Sequence, residues 1–221
     1  MLTAGPVAGS CKKRRRSQHI TPRQANNLVA ACAYAEDIGC RLNVSIDVFW
    51  LMFSGWEEDA KRLAKSQQRL SKWFARRGFT LVMIWVREIG ANGALHTHIL
   101  LHVPPWLMES GEFQFVFERS LEPEGGATHE KAILIKPAHA PEGKLRYMLK
   151  GISRRGAKRF RVRASPQGEI EGKRVGYTEN IGPRARARRD ATTTKLGRSI
   201  GGQSKPSVPI LSEVQADGPR V

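Results

Sequence analysis

Hydrophobic residues recur along this chain with two periods, one near 3.6 and one of 2, and these periods predict its elements. Residues 21–39 begin with Thr21 and Pro22 and end at Gly39, the usual start and stop signals of a helix. Residues 57–78 carry apolar side chains at helical spacing, which predicts a second, amphipathic helix.

Three further segments alternate or run apolar and are rich in β-branched and aromatic residues, as strands are. They cover residues 41–53, 79–90 and 94–103. The last two are joined through Gly90-Ala-Asn-Gly93, a turn signal that predicts an antiparallel hairpin.

The second half of the chain gives shorter signals. Residues 106–122 are helical in pattern, although Gly111 interrupts them, and 131–138 form a short apolar strand. A short basic helix is expected around Lys144–Ser153, followed by a strand over 158–164 with one basic face.

This order of elements predicts one α+β domain built on a central antiparallel β-sheet flanked by helices. The domain covers residues 19–182, after a basic N-terminal arm over 1–18. From about Gly182 the composition turns to Arg, Gly, Ser and Thr, so residues 183–221 are expected to be a disordered basic tail.

The charge of the chain narrows its partners. Its 37 Lys and Arg outnumber 20 Asp and Glu, for a formal charge of +17 among 221 residues, which favours a polyanionic partner such as nucleic acid. No apolar run approaches the ~20 residues of a membrane span. With no apolar signal core at the N-terminus, a cytoplasmic protein is expected, and Cys11, Cys32 and Cys40 fit reduced thiols.

The basic residues fall into three clusters. The first covers 12–16, and the third contains Arg184, Arg186, Arg188 and Arg189. The second is the expected DNA-binding cluster and contains Arg154, Arg155, Lys158, Arg159, Arg161 and Arg163. Such residues track phosphates without reading bases, and Trp50, Trp56, Trp85 or Trp106 would stack a base only where not needed for packing.

Three histidines interrupt the third strand. His96 and His98 share one face and stand ~7 Å apart along the strand, close enough to share a metal ion, whereas His102 is ~13 Å from His98. Hydrogen-bonded histidines of a half-buried sheet are the alternative. A two-residue Asn-Gly turn places Glu88 opposite Thr97, while a three-residue loop places it opposite His96 as a third ligand; we favour the second.

A helix carries the other candidate group. Tyr147 and Lys150 are three residues apart and therefore neighbours on one helical face. A phenol is a weak nucleophile at neutral pH, and a nearby ammonium favours its ionised form. Tyr177, in a polar basic loop, is a weaker candidate, and an amphipathic residue at the edge of a core is the alternative for Tyr147.

Together, "HTH" at 96–98 and "YMLK" at 147–150 resemble the HUH endonucleases, and more narrowly the replication initiators of rolling-circle plasmids and phages. The resemblance covers roughly residues 42–182, with Thr97 in place of the usual larger hydrophobe. It implies nicking and joining of single-stranded DNA at an origin or its hairpin. Tyr147 would form a 5′-phosphotyrosyl intermediate assisted by Lys150, and the free 3′-hydroxyl would start rolling-circle replication.

The resemblance also implies that His96, His98 and Glu88 hold a divalent ion, Mg²⁺ or Mn²⁺, and that host helicase and polymerase are further partners. Two alternatives stay open. One is a relaxase or transposase of the same superfamily, and the other is a basic nucleic-acid-binding regulator without catalysis.

Overall fold

The computed structural model describes residues 16–50, 59–90, 93–121 and 132–200, with side chains up to residue 192. The chain divides into two units, 1–186 and 187–221. The helices are α1 (Pro22–Asp37), α2 (Asp59–Ala75), α3 (Pro105–Glu109), α4 (Glu112–Leu121), α5 (Pro141–Met148), α6 (Arg154–Phe160) and α7 (Pro183–Ile200). The strands are β1 (Arg16–Ser17), β2 (Val44–Phe49), β3 (Met83–Ile89), β4 (Leu95–Leu101), β5 (Ile133–Pro137), β6 (Ile170–Glu171) and β7 (Val175–Tyr177).

A five-stranded sheet forms the centre of the first unit. Its strand order is β5-β2-β4-β3-β7, and every neighbouring pair is antiparallel. A separate two-stranded ribbon pairs β1 with β6. The predicted α+β class, with helices flanking an antiparallel sheet, is therefore confirmed.

Both faces of the sheet are covered, so the fold has two apolar cores. One face packs Val48, Ile99 and Leu101 against α2 and α4. The other packs Ile84 and Leu100 against α1 and α5. Because side chains alternate along a strand, each strand contributes to both cores, and polar groups on the α5 side must be paired or functional.

Helix α1 begins and ends at the predicted residues. The Thr21 side chain accepts a hydrogen bond from the Gln24 N–H, and the Gln24 side chain accepts one from the Thr21 N–H, which is a complete capping box. Gly39 ends the helix with a left-handed backbone (φ 74°). Cys32 on this helix is buried, burial raises its pKa to about 12, and both it and Cys40 are free thiols.

Three predicted elements are corrected. Residues 106–122 contain two helices, α3 and α4, because Gly111 adopts a left-handed backbone (φ 70°) between them. Residues 158–164 are not a strand: the Ser153 side chain caps α6, which runs to Phe160 and ends at a left-handed Arg161. Their alternation instead lets Phe160 and Val162 pack against the α1 core.

The ends of the predicted domain also differ. Within the expected arm, Arg16 and Ser17 pair with Glu171 and Ile170 of β6, and residues 1–15 lie outside the described part. Within the expected disordered tail, residues 183–200 form α7. Alanine and arginine are strong helix formers and Pro183 occupies the first turn, which explains a helix in a segment poor in large apolar residues.

Candidate active site

Three adjacent strands place polar side chains on the face of the sheet that α5 covers. Asp47 of β2 pairs with His98 of β4 in the backbone register, and Glu88 of β3 pairs with His96. Glu88 shares this face with the buried Val86 two positions before it. The strand pairing therefore brings two imidazoles and two carboxylates together.

The hairpin register follows from its loop. The Gly90 N–H donates to the Ala94 carbonyl at 2.8 Å, and Gly93 is left-handed (φ 75°), as a three-residue loop requires. Residues 91–92 of this loop lie outside the described part. Of the two registers considered from sequence, the structure has the one that sets Glu88 opposite His96.

His98 lies between two carboxylates. Its Nδ1 hydrogen-bonds an oxygen of Asp47, and its Nε2 lies 2.8 Å from Oε1 of Glu88. The His98 side chain is 5% exposed and that of Glu88 is 3% exposed, so this contact is shielded from water.

The two histidines differ in protonation. Burial acts to lower the pKa of His98, but the hydrogen bonds from both carboxylates outweigh it, so the pKa is raised. Burial and the neighbouring His98 lower the pKa of His96. At neutral pH His96 is therefore a neutral imidazole, the form that binds metal ions.

Helix α5 presents the phenol to this cluster. Pro141 occupies its first turn, and Leu145 and Met148 anchor it in the core, while Tyr147 is 49% exposed. The Tyr147 ring meets the His98 ring edge-on, with centroids 5.4 Å apart. Helix packing thus places an accessible phenol beside a buried imidazole.

Lys150 links the phenol to the sheet. Its Nζ lies 2.7 Å from the Tyr147 hydroxyl and 2.8 Å from Oε1 of Glu88. Burial acts to lower the pKa of Lys150, but the bonds to Glu88 and Tyr147 raise it overall, so the ammonium stays charged. The predicted pair of Tyr147 and Lys150 is therefore in contact, and both lie against the histidine strand.

Sequence reasoning missed two members of this network. Lys144 of α5 lies 2.9 and 3.1 Å from the carboxylate oxygens of Asp47. Burial acts to raise the pKa of Asp47, but His98 and Lys144 lower it to about 2. The only signal was a lone aspartate in the apolar strand "VSIDVF".

Two observations bear on whether a metal ion fits here. Oε2 of Glu88 is buried and has no hydrogen-bond partner among the described residues, and no described residue hydrogen-bonds a ring nitrogen of His96. Both are suitable donors for a divalent ion. As the side chains stand, however, both nitrogens of His98 contact carboxylates, and no three His, Cys, Asp or Glu residues among those described are grouped as a metal site.

The residue between the histidines has a role of its own. Thr97 is fully buried on the opposite face, and its Oγ1 accepts a hydrogen bond at 2.7 Å from the indole N–H of Trp50. A larger hydrophobe at this position would leave the buried indole donor without that acceptor.

The other sequence candidates lie apart from the cluster. His102 shares the face of the histidine pair but bonds the Arg41 carbonyl at 2.8 Å. Tyr177 is in the edge strand β7, packed against the α1 core. Trp50 and Trp85 are buried, which leaves Trp106 as the exposed tryptophan of the described residues, since Trp56 lies outside them.

The expected DNA-binding cluster is exposed. It begins three residues after Lys150, beyond the short 3₁₀ turn Leu149–Gly151, and continues through α6 into the segment after it. All six side chains are exposed: Arg154, Arg155, Lys158, Arg159, Arg161 and Arg163. This basic surface directly follows the candidate site along the chain.

Residues 52–155 match the family model of the replication-associated proteins of the ORF2 type. The matched segment is a little under half of the chain and includes Glu88, His96, His98, Tyr147 and Lys150. This similarity is consistent with a replication initiator. Comparisons with curated proteins and with solved structures found no significant match. Among the described residues, no helix has the length and apolar character needed to cross a membrane.

Proposed function

We propose that this protein nicks and rejoins single-stranded DNA through Tyr147, as HUH endonucleases do, to start rolling-circle replication. The observation that carries the proposal is the position of the Tyr147 phenol. It lies beside His98 and touches Lys150, which in turn contacts Glu88. A nucleophile, a cation and the predicted metal ligands thus meet at one half-exposed point on the surface.

In the proposed reaction, the Tyr147 oxygen attacks the scissile phosphorus. A bond from the phenolic oxygen to phosphorus forms, the bond from phosphorus to the 3′-oxygen breaks, and the 3′-oxygen leaves as a hydroxyl after taking up a proton. Lys150 favours the ionised phenol by its charge at 2.7 Å and balances the negative charge of the phosphate. Reversal with a new 3′-hydroxyl rejoins the strand.

His96, His98 and Glu88 are the residues that would hold a divalent cation, Mg²⁺ or Mn²⁺, and such an ion polarises a phosphate when bound. The free Oε2 of Glu88 and the neutral His96 suit this role. His98 joins them only when its Nε2 exchanges Glu88 for the ion. Asp47 then keeps the ring in place through Nδ1, as carboxylates behind metal-bound histidines do.

DNA would be held by the exposed basic cluster on and after α6. Charges of this kind position a strand by its phosphates and make binding sensitive to salt. Their place directly after Lys150 along the chain suits a strand whose scissile phosphate lies at Tyr147.

A covalent adduct tests this function. The full chain is incubated with Mn²⁺ and single-stranded oligonucleotides that tile both strands of the DNA around its own gene, and adducts are separated on denaturing gels. We expect an adduct with the wild type and none with Tyr147→Phe, while Tyr177→Phe serves as the matched control and keeps it.

An adduct of undiminished yield in Tyr147→Phe would show that another group attacks. Salt-dependent DNA binding without an adduct on any oligonucleotide, unchanged by His96→Ala or by omission of metal, would instead support the regulator without catalysis.

A further inference from the structure

A second basic cavity lies outside the candidate active site. It is an open groove of about 800 Å³ between the β1–β6 ribbon and the first turn of α1, and we call it the ribbon groove. Its cationic lining consists of Arg16, Arg23, Lys173 and the buried Arg174, with the exposed His19 beside them. None of the described residues that line it is an aspartate or a glutamate.

Arg174 builds one wall of the ribbon groove. It is 1% exposed, and its guanidinium donates to the Ser17 carbonyl at 2.6 Å and to the Ser17 hydroxyl at 3.1 Å. These bonds hold the β1 segment against the β6–β7 segment. The groove is therefore a built feature of the fold and not a gap between loose side chains.

The exposed cations of the groove differ in their partners. Arg16 forms an ion pair with Glu169 at 3.1 Å, which offsets part of its charge. Arg23 and Lys173 are exposed, and neither forms an ion pair with a described carboxylate. Their charges are available to an anion.

The helix that borders the groove adds to its positive potential. The N-terminus of α1 carries the positive end of the helix dipole, and its first turn has Arg23 but no acidic residue. A cation at this position is unfavourable for the helix alone. A bound anion would offset both charges.

Backbone contacts connect the ribbon groove to the candidate active site. The Ile20 N–H donates to the Gly151 carbonyl at 2.8 Å, and the Ser153 N–H donates to the Ile20 carbonyl at 3.2 Å. Gly151 directly follows Lys150. The groove wall is thus bonded to the turn that carries the lysine in contact with Tyr147.

We propose that the ribbon groove binds the phosphodiester backbone of the DNA strand whose neighbouring phosphate lies at Tyr147. The identity of the ligand rests on the proposed function. An open groove with cations at several positions suits a repeating polyanion, and exposed Arg and Lys contact phosphates without regard to base sequence. Arg23 and Lys173 supply the contacts, and Arg174 positions the wall.

Salt-dependent binding tests the groove. The full chain is titrated with a fluorescent single-stranded oligonucleotide, and with a hairpin duplex in a second arm, at several KCl concentrations. For Arg23→Gln/Lys173→Gln the slope of log Kd against log [KCl] on the single strand should fall by about 1.4, since each single-strand phosphate contact contributes about 0.7.

The matched control is Lys72→Gln/Arg76→Gln, which removes the same charge from the exposed side of α2 and should change the slope much less. Arg23→Lys/Lys173→Arg should restore the wild-type slope. Equal slopes and affinities in the groove variant and the control variant would overturn the proposal, and so would a loss confined to the duplex arm.

The adduct assay separates this proposal from the proposed function. If the groove is wrong but the nicking function is right, the wild type forms the adduct while the groove variant binds like the control variant. If the groove is right but the nicking function is wrong, the groove variant loses binding and no variant forms an adduct.

Discussion

At the scale of single residues, Thr97 shows how the site strand serves both faces of the sheet. Its neighbours His96 and His98 point toward α5, while its own hydroxyl binds the Trp50 indole in the opposite core. The hydroxyl thus removes a buried unsatisfied donor, and the strand that carries the histidines is fixed from behind.

A double-mutant cycle tests this bond. Thr97→Val should lower the free energy of unfolding by about 1–3 kcal/mol, because it leaves the buried indole N–H unpaired. In a Trp50→Phe background the same change should cost clearly less, since the donor is already gone. Urea unfolding of the four proteins gives the coupling, and a coupling near zero would contradict the contact.

Asp47 makes a prediction about acid stability. Its pKa in the folded protein, about 2, lies below the ordinary value of 3.8, so its stabilisation is present above pH 3.8 and is lost as the pH falls through 2. The difference corresponds to about 2 kcal/mol at neutral pH.

Asp47→Asn should therefore lower the free energy of unfolding at pH 7 and differ little from the wild type near pH 2. Urea titrations at both pH values measure this, with the exposed Glu109→Gln as control. An equal deficit at both pH values would mean that the carboxylate charge is not the cause.

The residue scale also marks the limit of sequence reasoning. His96, His98, Glu88, Tyr147 and Lys150 were found because period-2 and helical spacing place them on defined faces. Asp47 and Lys144 were not, because their contact joins positions 97 residues apart, and no local pattern gives such a contact. Whether the five found residues are catalytic stays a prediction.

At the scale of elements, the edge strand β7 and the helix α5 depend on glycine in opposite ways. A Cβ at Gly176 in β7 would overlap the ring of the buried Trp85. A Cβ at Gly143 in α5 would meet only the Ala140 Cβ, at 3.9 Å. One glycine is required for packing, and the other only weakens its helix.

Alanine at the two positions should have opposite effects. Gly176→Ala should destabilise the fold by about 1–3 kcal/mol through overpacking. Gly143→Ala should stabilise it by about 0.5–1 kcal/mol, since alanine is the better helix former. Thermal unfolding of both variants measures the signs, and a stabilised Gly176→Ala variant would contradict the packing of β7 on Trp85.

Elements with complete local signals were predicted well. The capping box of α1 and the hairpin of β3 and β4 carry their own start, stop and turn residues. Residues 158–164 misled because alternating basic and apolar residues also fit the end of a short helix against a core. The helix at 183–200 was missed because composition outweighed the helix propensity of its alanines and arginines.

At the scale of the whole molecule, the sheet separates packing from chemistry. Apolar side chains fill the α2 and α4 side, and the paired charges lie among the apolar residues of the α1 and α5 side. The class of fold was predictable from the order of elements. The strand order was not, because β4 lies between β2 and β3, and this non-local pairing decides which carboxylates reach the histidines.

The central claim is that the phenol on α5 attacks the phosphate held beside the histidine strand. The most direct measurement is to digest the purified protein–DNA adduct with protease and nuclease and to locate the attached nucleotide by mass spectrometry. We predict a 5′-linked nucleotide on the peptide that contains Tyr147. A nucleotide on Tyr177, on Tyr34 or on a residue that is not a tyrosine would contradict the account.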